Sequence, residues 1–515
     1  MNGAQSLIQT LVNGGVTTCF TNPGTSEMHF VAAVDTVPGM NTYLCLFEGG
    51  ATGAADGYAR MTGNPAATLL HLGPGLANGL ANLHNAQRAN SPIVNIVGDH
   101  ATRHLKYDAP LTTDIRSFAN PVSAWVGTPP DVSSVAEYTA EAIAQATQPP
   151  GQIATLILRG DCAWDPLPEN NPAEITPKIS PPAADPERIE EAIQVLRSGE
   201  PTVILLGGAG LMEDGLNLAC RVGQATGARV IGRRNNARAQ RGAGRPRIPR
   251  VPYVVDDAIA LLDGTAHVIL AGAKEPVAFF AYPGKRSTSL PEDCQVHTLA
   301  TIGEDVVGAL ELLAEEFHAP HEVGETYPTE RPPLPTGELT IPKVWQGVAA
   351  LMPEQTIVSD ESVTSGRRAE EWIGGAPPHE WLSIMGGAIG QGLPVATGAA
   401  VACPNRKVFA MESDGSAMYT VQSLWTQARY GLDVITVMFS NHAYRILQGE
   451  LQRVGANPGP QAIDMLRLDN PPIDWVGMGK SMGVQSSLAK TADEFVMQLR
   501  EAVNGEGPYL IEVNV

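Results

Sequence analysis

The stretch "AMESDGSAMYTVQSLWTQARYGLDVITVMFSNHAY" (410–444) reads as strand, helix, strand. An apolar run ends at Asp414-Gly415-Ser416, a helical stretch follows, and a second apolar run ends at Ser440-Asn441. Such a crossover lays two parallel strands side by side with their carboxyl ends at one edge. Asp414 and Asn441, 27 residues apart, then stand next to each other. Their side-chain oxygens suit a hard cation such as magnesium, which usually shares its site with phosphate groups. Gly415 and Ser416, at the helix start, offer N–H groups and a hydroxyl to a phosphate. The plainer alternative is a helix cap followed by a loop-forming Asn; the spacing after a second strand favours the metal–phosphate reading.

Runs of the same kind recur along the chain: "TLLHLGPG" (68–75), "PIVNIVGD" (92–99), "ATLILRGD" (154–161), "PTVILLGGAG" (201–210), "HVILAGA" (267–273) and "PYLIEVNV" (508–515). They are too continuously apolar for half-exposed strands and fit buried parallel ones. Helical stretches closed by Gly lie between many of them, as in "NGAQSLIQTLVNGG" (2–15) and "ERIEEAIQVLRSG" (187–199). The alternation predicts an α/β protein with parallel sheets flanked by helices. Two Pro-rich segments, 164–187 and 318–342, cannot run through helices or central strands and read as linkers. They divide the 515 residues into three domains, 1–165, 186–318 and 340–515.

The bulk numbers exclude some partners. With 34 Lys plus Arg against 54 Asp plus Glu, the net charge of −20 disfavours nucleic acid and anionic membrane surfaces. No run approaches the roughly 20 apolar residues of a membrane helix, and no signal peptide is expected at the N-terminus. Six cysteines without metal spacing or pairing rhythm read as reduced thiols of a cytoplasmic protein.

"LFEGGATGAADGYAR" (46–60) places a lone carboxylate, Glu48, after an apolar run and before a series of Gly and Ala. It is either a solvated strand end or a buried acid with a task, and the small residues would let a ring or another backbone come close. "TNPGTSEMHF" (21–30), "EGGATGAADGYAR" (48–60), "GPGLANGLANLHNAQRANSPIVNIVGD" (73–99), "GGAIGQGLPVATGAA" (386–400) and the Asp-Gly-Ser … Asn pair occur in one order. This series resembles the thiamine-diphosphate-dependent 2-keto-acid decarboxylase and carboligase family, acetolactate-synthase-like with features of benzoylformate decarboxylase. Ser413 and Ser440 stand where the family's usual Gly-Asp-Gly … Asn-Asn has Gly and Asn; both departures spare Asp414 and Asn441.

The resemblance implies pyrimidine-binding, central and diphosphate-binding domains. It implies that Glu48 hydrogen-bonds a ring nitrogen of the cofactor and so drives removal of the thiazolium carbon's proton. Ile389 would bend the cofactor, the Gly387 carbonyl would accept from its exocyclic amine, and Thr364 and Tyr444 would lie at the diphosphate. Asp414, Asn441 and the Ala443 carbonyl would hold magnesium. Thr25 and His71 match substrate-facing residues of benzoylformate decarboxylase. The resemblance also implies a 2-keto-acid substrate and a homodimer or homotetramer with sites at subunit interfaces.

Other readings stay open. The product is either an acyloin or a released aldehyde, and a non-catalytic cofactor-binding relative is a third class, although Glu48 would be dispensable in one. Asp99, His100 and His104 are further substrate-facing candidates; on a helix the two histidines would share a face. The family's second substrate His has no counterpart in "KEPVAFFAYPGKRS" (274–287). The usual flavin segment is also missing, so FAD is not predicted. In its place "GRRNNARAQRGAGRPRIPR" (232–250) carries seven arginines, either an anion site or an exposed loop paired with acidic neighbours.

Overall fold

The computed structural model describes residues 1–167 and 173–515. Part of the expected 164–187 linker, residues 168–172, lies outside the described residues. The chain forms three sheets flanked by helices. The first contains β1 (Thr18–Thr21), β2 (Asn41–Leu44), β3 (Ala66–Leu70), β4 (Ile93–Asp99), β5 (Trp125–Gly127) and β6 (Ile153–Arg159), all parallel, in the order β2-β1-β3-β4-β6-β5. The second joins β7 (Thr202–Leu206) and β8 (Arg229–Gly232) to β10 (His267–Ala271) and β11 (Gln295–Ala300), in the order β11-β10-β7-β8. The strand between them in sequence, β9 (Ala239–Arg241), leaves for the third sheet.

That sheet holds β12 (Ile357–Glu361), β13 (His379–Ser383), β14 (Val408–Ser413), β15 (Val434–Ser440), β16 (Gln485–Ala489) and β17 (Tyr509–Asn514), in the order β16-β17-β15-β14-β12-β13-β9. It is parallel except for β9, which pairs antiparallel with β13. The arginine-rich segment is therefore no exposed loop. It supplies an edge strand, and its side chains pair with acids: Arg238 with Glu380 at 2.8 Å, Arg245 with Glu213 at 2.7 Å, and Arg241 and Arg250 with Glu370, the first at 3.2 Å.

The strand orders place two crevices. A parallel sheet opens where the chain turns from adding strands on one side to adding them on the other. In the first sheet this falls between β1 and β3, in the third between β12 and β14. The corresponding point of the second sheet lies between β7 and β10, and after β7 Asn236 bonds both the N–H and the carbonyl of Gly208, at 2.9 and 3.1 Å.

Glu48 proves to open a helix, Glu48–Thr62, rather than to end a strand. This helix packs against Gly392–Ala402, and the small residues serve that crossing. A Cβ on Gly398 would lie 1.8 Å from the Ala54 carbonyl oxygen, and one on Gly57 would lie 2.1 Å from that of Val395. Backbone this close admits no methyl. Gly398→Ala is expected to destabilise the protein by about 1–3 kcal/mol, read as a lower thermal midpoint in scanning calorimetry. Gly374→Ala, with nothing within 4 Å of its would-be Cβ, is expected to stay within about 0.5 kcal/mol of the parent; equal midpoints for the two would refute the close-packing account.

Candidate active site

At the crevice of the third sheet, β14 and β15 are adjacent, with Ser413 in register with Phe439. Asp414 and the Asn441–Ala443 turn therefore meet. The Asp414 carboxylate, 2 % exposed, accepts N–H bonds from Gly415 (2.8 Å), Asn441 (3.0 Å) and His442 (2.6 Å). Asn441 Oδ1 accepts from Ala443 N at 3.1 Å, and the Ala443 carbonyl accepts from Arg445 N at 2.9 Å. Burial raises the Asp414 carboxyl above its ordinary value, against the pull of its N–H donors, first among them that of His442. A cation beside it would offset that burial. No group of three or more His, Cys, Asp and Glu able to hold a metal occurs among the described residues. The donors here are instead one carboxylate, one amide oxygen and backbone carbonyls, an all-oxygen set that fits magnesium and leaves places for phosphate and water.

Around this centre, Ser416 Oγ lies 2.9 Å from Ser413 Oγ, which donates to the Glu361 carbonyl at 3.2 Å. Asp414–Ala417 is a single helical turn, shorter than the helix expected there. The Tyr444 ring covers Gly415, 2.4 Å from where a Cβ would stand. Thr364 is half-buried in the turn after β12.

The loop that carries Gly387 and Ile389 is held from two sides. From the first domain, Asn85 accepts the N–H groups of Gly386 and Ala388 (3.1 and 3.2 Å) and donates to the Ala388 carbonyl at 2.7 Å. His84 Nε2 lies 3.1 Å from the Gly386 carbonyl, and Asn82 links the carbonyls of Gly49 (2.8 Å) and Gly390 (3.2 Å). From the third sheet, Glu361 accepts the N–H groups of Gly390 (2.8 Å) and Gly392 (2.6 Å). The carbonyls of residues 386, 388 and 390 are thus taken; that of Gly387 accepts nothing among the described residues. Ile389 is half-buried. Phe279 stands against Gly387, 2.9 Å from its would-be Cβ, in the segment that lacks the family's second His.

At the crevice of the first sheet, His71 ends β3. Its Nδ1 lies 2.9 Å from Glu27 Oε2 and 3.1 Å from Ser26 Oγ, and Ser26 donates to Glu27 at 2.5 Å. Thr25, expected beside His71, is exposed; its neighbours Ser26 and Glu27 make the contacts. Glu48, 8 % exposed, accepts from Asn78 at 3.0 Å and makes no hydrogen bond to the third sheet among the described residues. The rings of His100 and His104 lie 5.4 Å apart, but on a loop rather than a helix.

The first 118 residues match the thiamine pyrophosphate enzyme N-terminal TPP-binding domain, and residues 367–513 match the C-terminal one. Over its whole length the chain is 52% identical to a Mycobacterium tuberculosis protein named as an acetolactate synthase large subunit, IlvX, and covers 99% of it. The chain belongs to the thiamine-diphosphate enzyme family. It is a thiamine-diphosphate-dependent enzyme of the acetolactate synthase and benzoylformate decarboxylase kind. Benzoylformate decarboxylase of Pseudomonas aeruginosa is 28% identical over 97% of this chain and 96% of its own. The solved 4-hydroxybenzoylformate decarboxylase of Rhodococcus jostii RHA1 superimposes with a TM-score of 0.82 at 23% identity, covering 100% of this chain and 99% of its own, a likeness of fold.

Two acids that the sequence reading passed over sit beneath the Gly387 loop of this thiamine-diphosphate enzyme. Burial raises the Glu361 carboxyl to about 7, against the N–H bonds of Gly392, Gly390 and Gln391. Glu412, fully buried with neither oxygen hydrogen-bonded, is raised well above its ordinary value by burial and by Glu361 beside it. An unfolded chain loses the Glu361 proton near pH 4.5, whereas the folded one keeps it to about 7. Between those values rising pH therefore favours unfolding. Glu412, which also keeps its proton in the folded chain, adds to this loss, so Glu412→Gln is expected to flatten the fall of stability above about pH 4.5. Urea unfolding of parent and variant across that range measures it; identical slopes would contradict the coupling.

Proposed function

We propose that the protein, with thiamine diphosphate and magnesium, decarboxylates a 2-keto acid and ligates the resulting carbanion to a second carbonyl. The observation that carries this reading is the buried Asp414 carboxylate joined to the Asn441 turn at neighbouring strand ends. Asp414, Asn441 and the Ala443 carbonyl hold the metal, and Gly415, Ser416, Thr364 and Tyr444 face the diphosphate. Gly387 would offer its free carbonyl to the cofactor's amino group, and Ile389 would pack against the cofactor. The bound cofactor supplies an electron sink for the carbanion left when carbon dioxide departs. Glu48, buried at a helix start, shares a proton with the pyrimidine ring. His71, oriented by Glu27, holds a proton at Nδ1 or Nε2 near the substrate, with Thr25 and Ser26 beside it. That protonatable His also favours a second reading, in which the carbanion is protonated and aldehyde is released. A panel of 2-keto acids, scoring carbon dioxide, aldehyde and acyloin separately, decides between them; no carbon dioxide from any member would refute both.

Glu48→Gln is expected to bind cofactor normally but to slow deuterium exchange at the thiazolium carbon by roughly 10²–10⁴-fold. Exchange at the parent rate would remove Glu48 from the mechanism.

Glu48 opens a helix packed on the first sheet and Asp414 follows β14 of the third, with no hydrogen bond between them among the described residues, which supports sites completed by a second copy of the chain in a homodimer or homotetramer. Asp414→Ala subunits are expected to lose magnesium-dependent cofactor binding in calorimetry. Mixed with Glu48→Gln subunits, they should regain roughly half the activity per mixed dimer by independent-site counting. No recovery, with mixed dimers shown to form, would mean that each chain builds its own site.

A further inference from the structure

Beside Ser26 the first domain opens into a cavity of about 620 Å³. That volume lies in the range of small-molecule sites and exceeds what a three-carbon keto acid needs. Thr25 and Ser26 form part of its wall, so it is continuous with the His71 cluster. The wall carries two fixed cations, in a chain of net charge −20. Arg103 and Lys106 reach into it, and His29, His100 and His104 line it. The one carboxylate in the wall, Asp99, accepts its neighbour's His100 N–H at 2.7 Å and faces Arg159.

Arg103 and Lys106 differ from the other cations in the chain. The arginines of 232–250 are largely matched by glutamates, whereas Arg103 and Lys106 have no ion-pair partner among the described residues. His100 Nε2 is sealed from solvent without a hydrogen-bond partner. A buried ring nitrogen left unpaired is costly unless something else meets it. Trp164, beside His29, and Tyr107, beneath the Lys106 ammonium, add flat apolar walls.

We propose that this cavity takes a second carboxylate, carried at the far end of the 2-keto acid, so that the enzyme's substrate is dicarboxylic. The proposal rests on the preceding reading of the site as a 2-keto-acid site. The keto end lies at Ser26 and His71, the chain of the substrate runs along Trp164 and Tyr107, and the distal carboxylate meets Arg103 and Lys106. A guanidinium and an ammonium together supply charge-assisted bonds that an uncharged substrate end cannot use.

The test uses the enzyme loaded with thiamine diphosphate and magnesium. Two substrates of equal length are compared, 2-oxoadipate and 2-oxohexanoate, together with their unreactive counterparts adipate and hexanoate in calorimetry. The expected result is a kcat/KM for 2-oxoadipate about tenfold or more above that for 2-oxohexanoate, the value of one charge-assisted contact. The double variant Arg103→Gln, Lys106→Gln should abolish that advantage and weaken adipate binding about tenfold, with an unchanged thermal midpoint as the check on folding. Equal kcat/KM for the two substrates, or an advantage that survives in the variant, overturns the proposal. If neither substrate loses carbon dioxide yet adipate binds and the variant loses it, the anion site stands and the decarboxylase reading falls. If adipate binds no better than hexanoate, the site falls whatever the activity.

Discussion

The close crossing of Glu48–Thr62 over Gly392–Ala402 is the contact on which the rest of the molecule depends. It joins the first and third sheets at backbone distance, which Gly57 and Gly398 make attainable. Inside it Asp56 and Arg60 form a fully buried ion pair, Arg60 Nε to Asp56 Oδ1 at 2.8 Å. Charges in such a place are tolerated when their remaining bonding capacity is used. Here Ser91 donates to Asp56, and Arg60 donates to the Ser383 carbonyl at 2.7 Å and to Gln391 at 3.3 Å. Both acceptors flank the Gly387 loop. The same crossing thus fuses two sheets, presents Glu48 and aligns the loop.

Backbone conformation reinforces that alignment. Leu72, Val363 and His442 adopt left-handed φ values of 47°, 48° and 54°. Each is a non-glycine residue next to a proposed site residue: His71, Thr364 and Asn441. Conformations of this kind cost about 1–3 kcal/mol apiece and persist only where the surroundings impose them. The N–H of His442 shows how: its 2.6 Å bond to Asp414 requires the sharp turn that the positive φ produces.

Charge is distributed with the same economy. A strongly acidic chain concentrates arginine in one segment and then matches it with Glu213, Glu370 and Glu380, while β9 ties that segment to the third sheet. The cations around Ser26 are left without such partners. At Glu361 and Glu412, protonation rather than pairing meets the cost of burial.

The sequence by itself determined the α/β class, the parallel strands and the meeting of Asp414 with Asn441. Continuous apolar runs of strand length and a right-handed crossover leave little other arrangement for those residues. It also marked Glu48, because an ionisable group between apolar and small residues is conspicuous, while His71 came only from the resemblance to benzoylformate decarboxylase. Only the tertiary structure decided what surrounds them. Asn82, His84 and Asn85 grip backbone atoms some 300 positions away. Ser26 and Glu27, rather than Thr25, meet His71 across more than forty residues. Glu361 and Glu412 face each other only because β12 and β14 are paired. Bonds to distant main-chain groups place no demand on residue type near them in the chain, and so leave no local pattern to read; β9, three residues long and held by a strand far along the chain, escaped notice for the same reason.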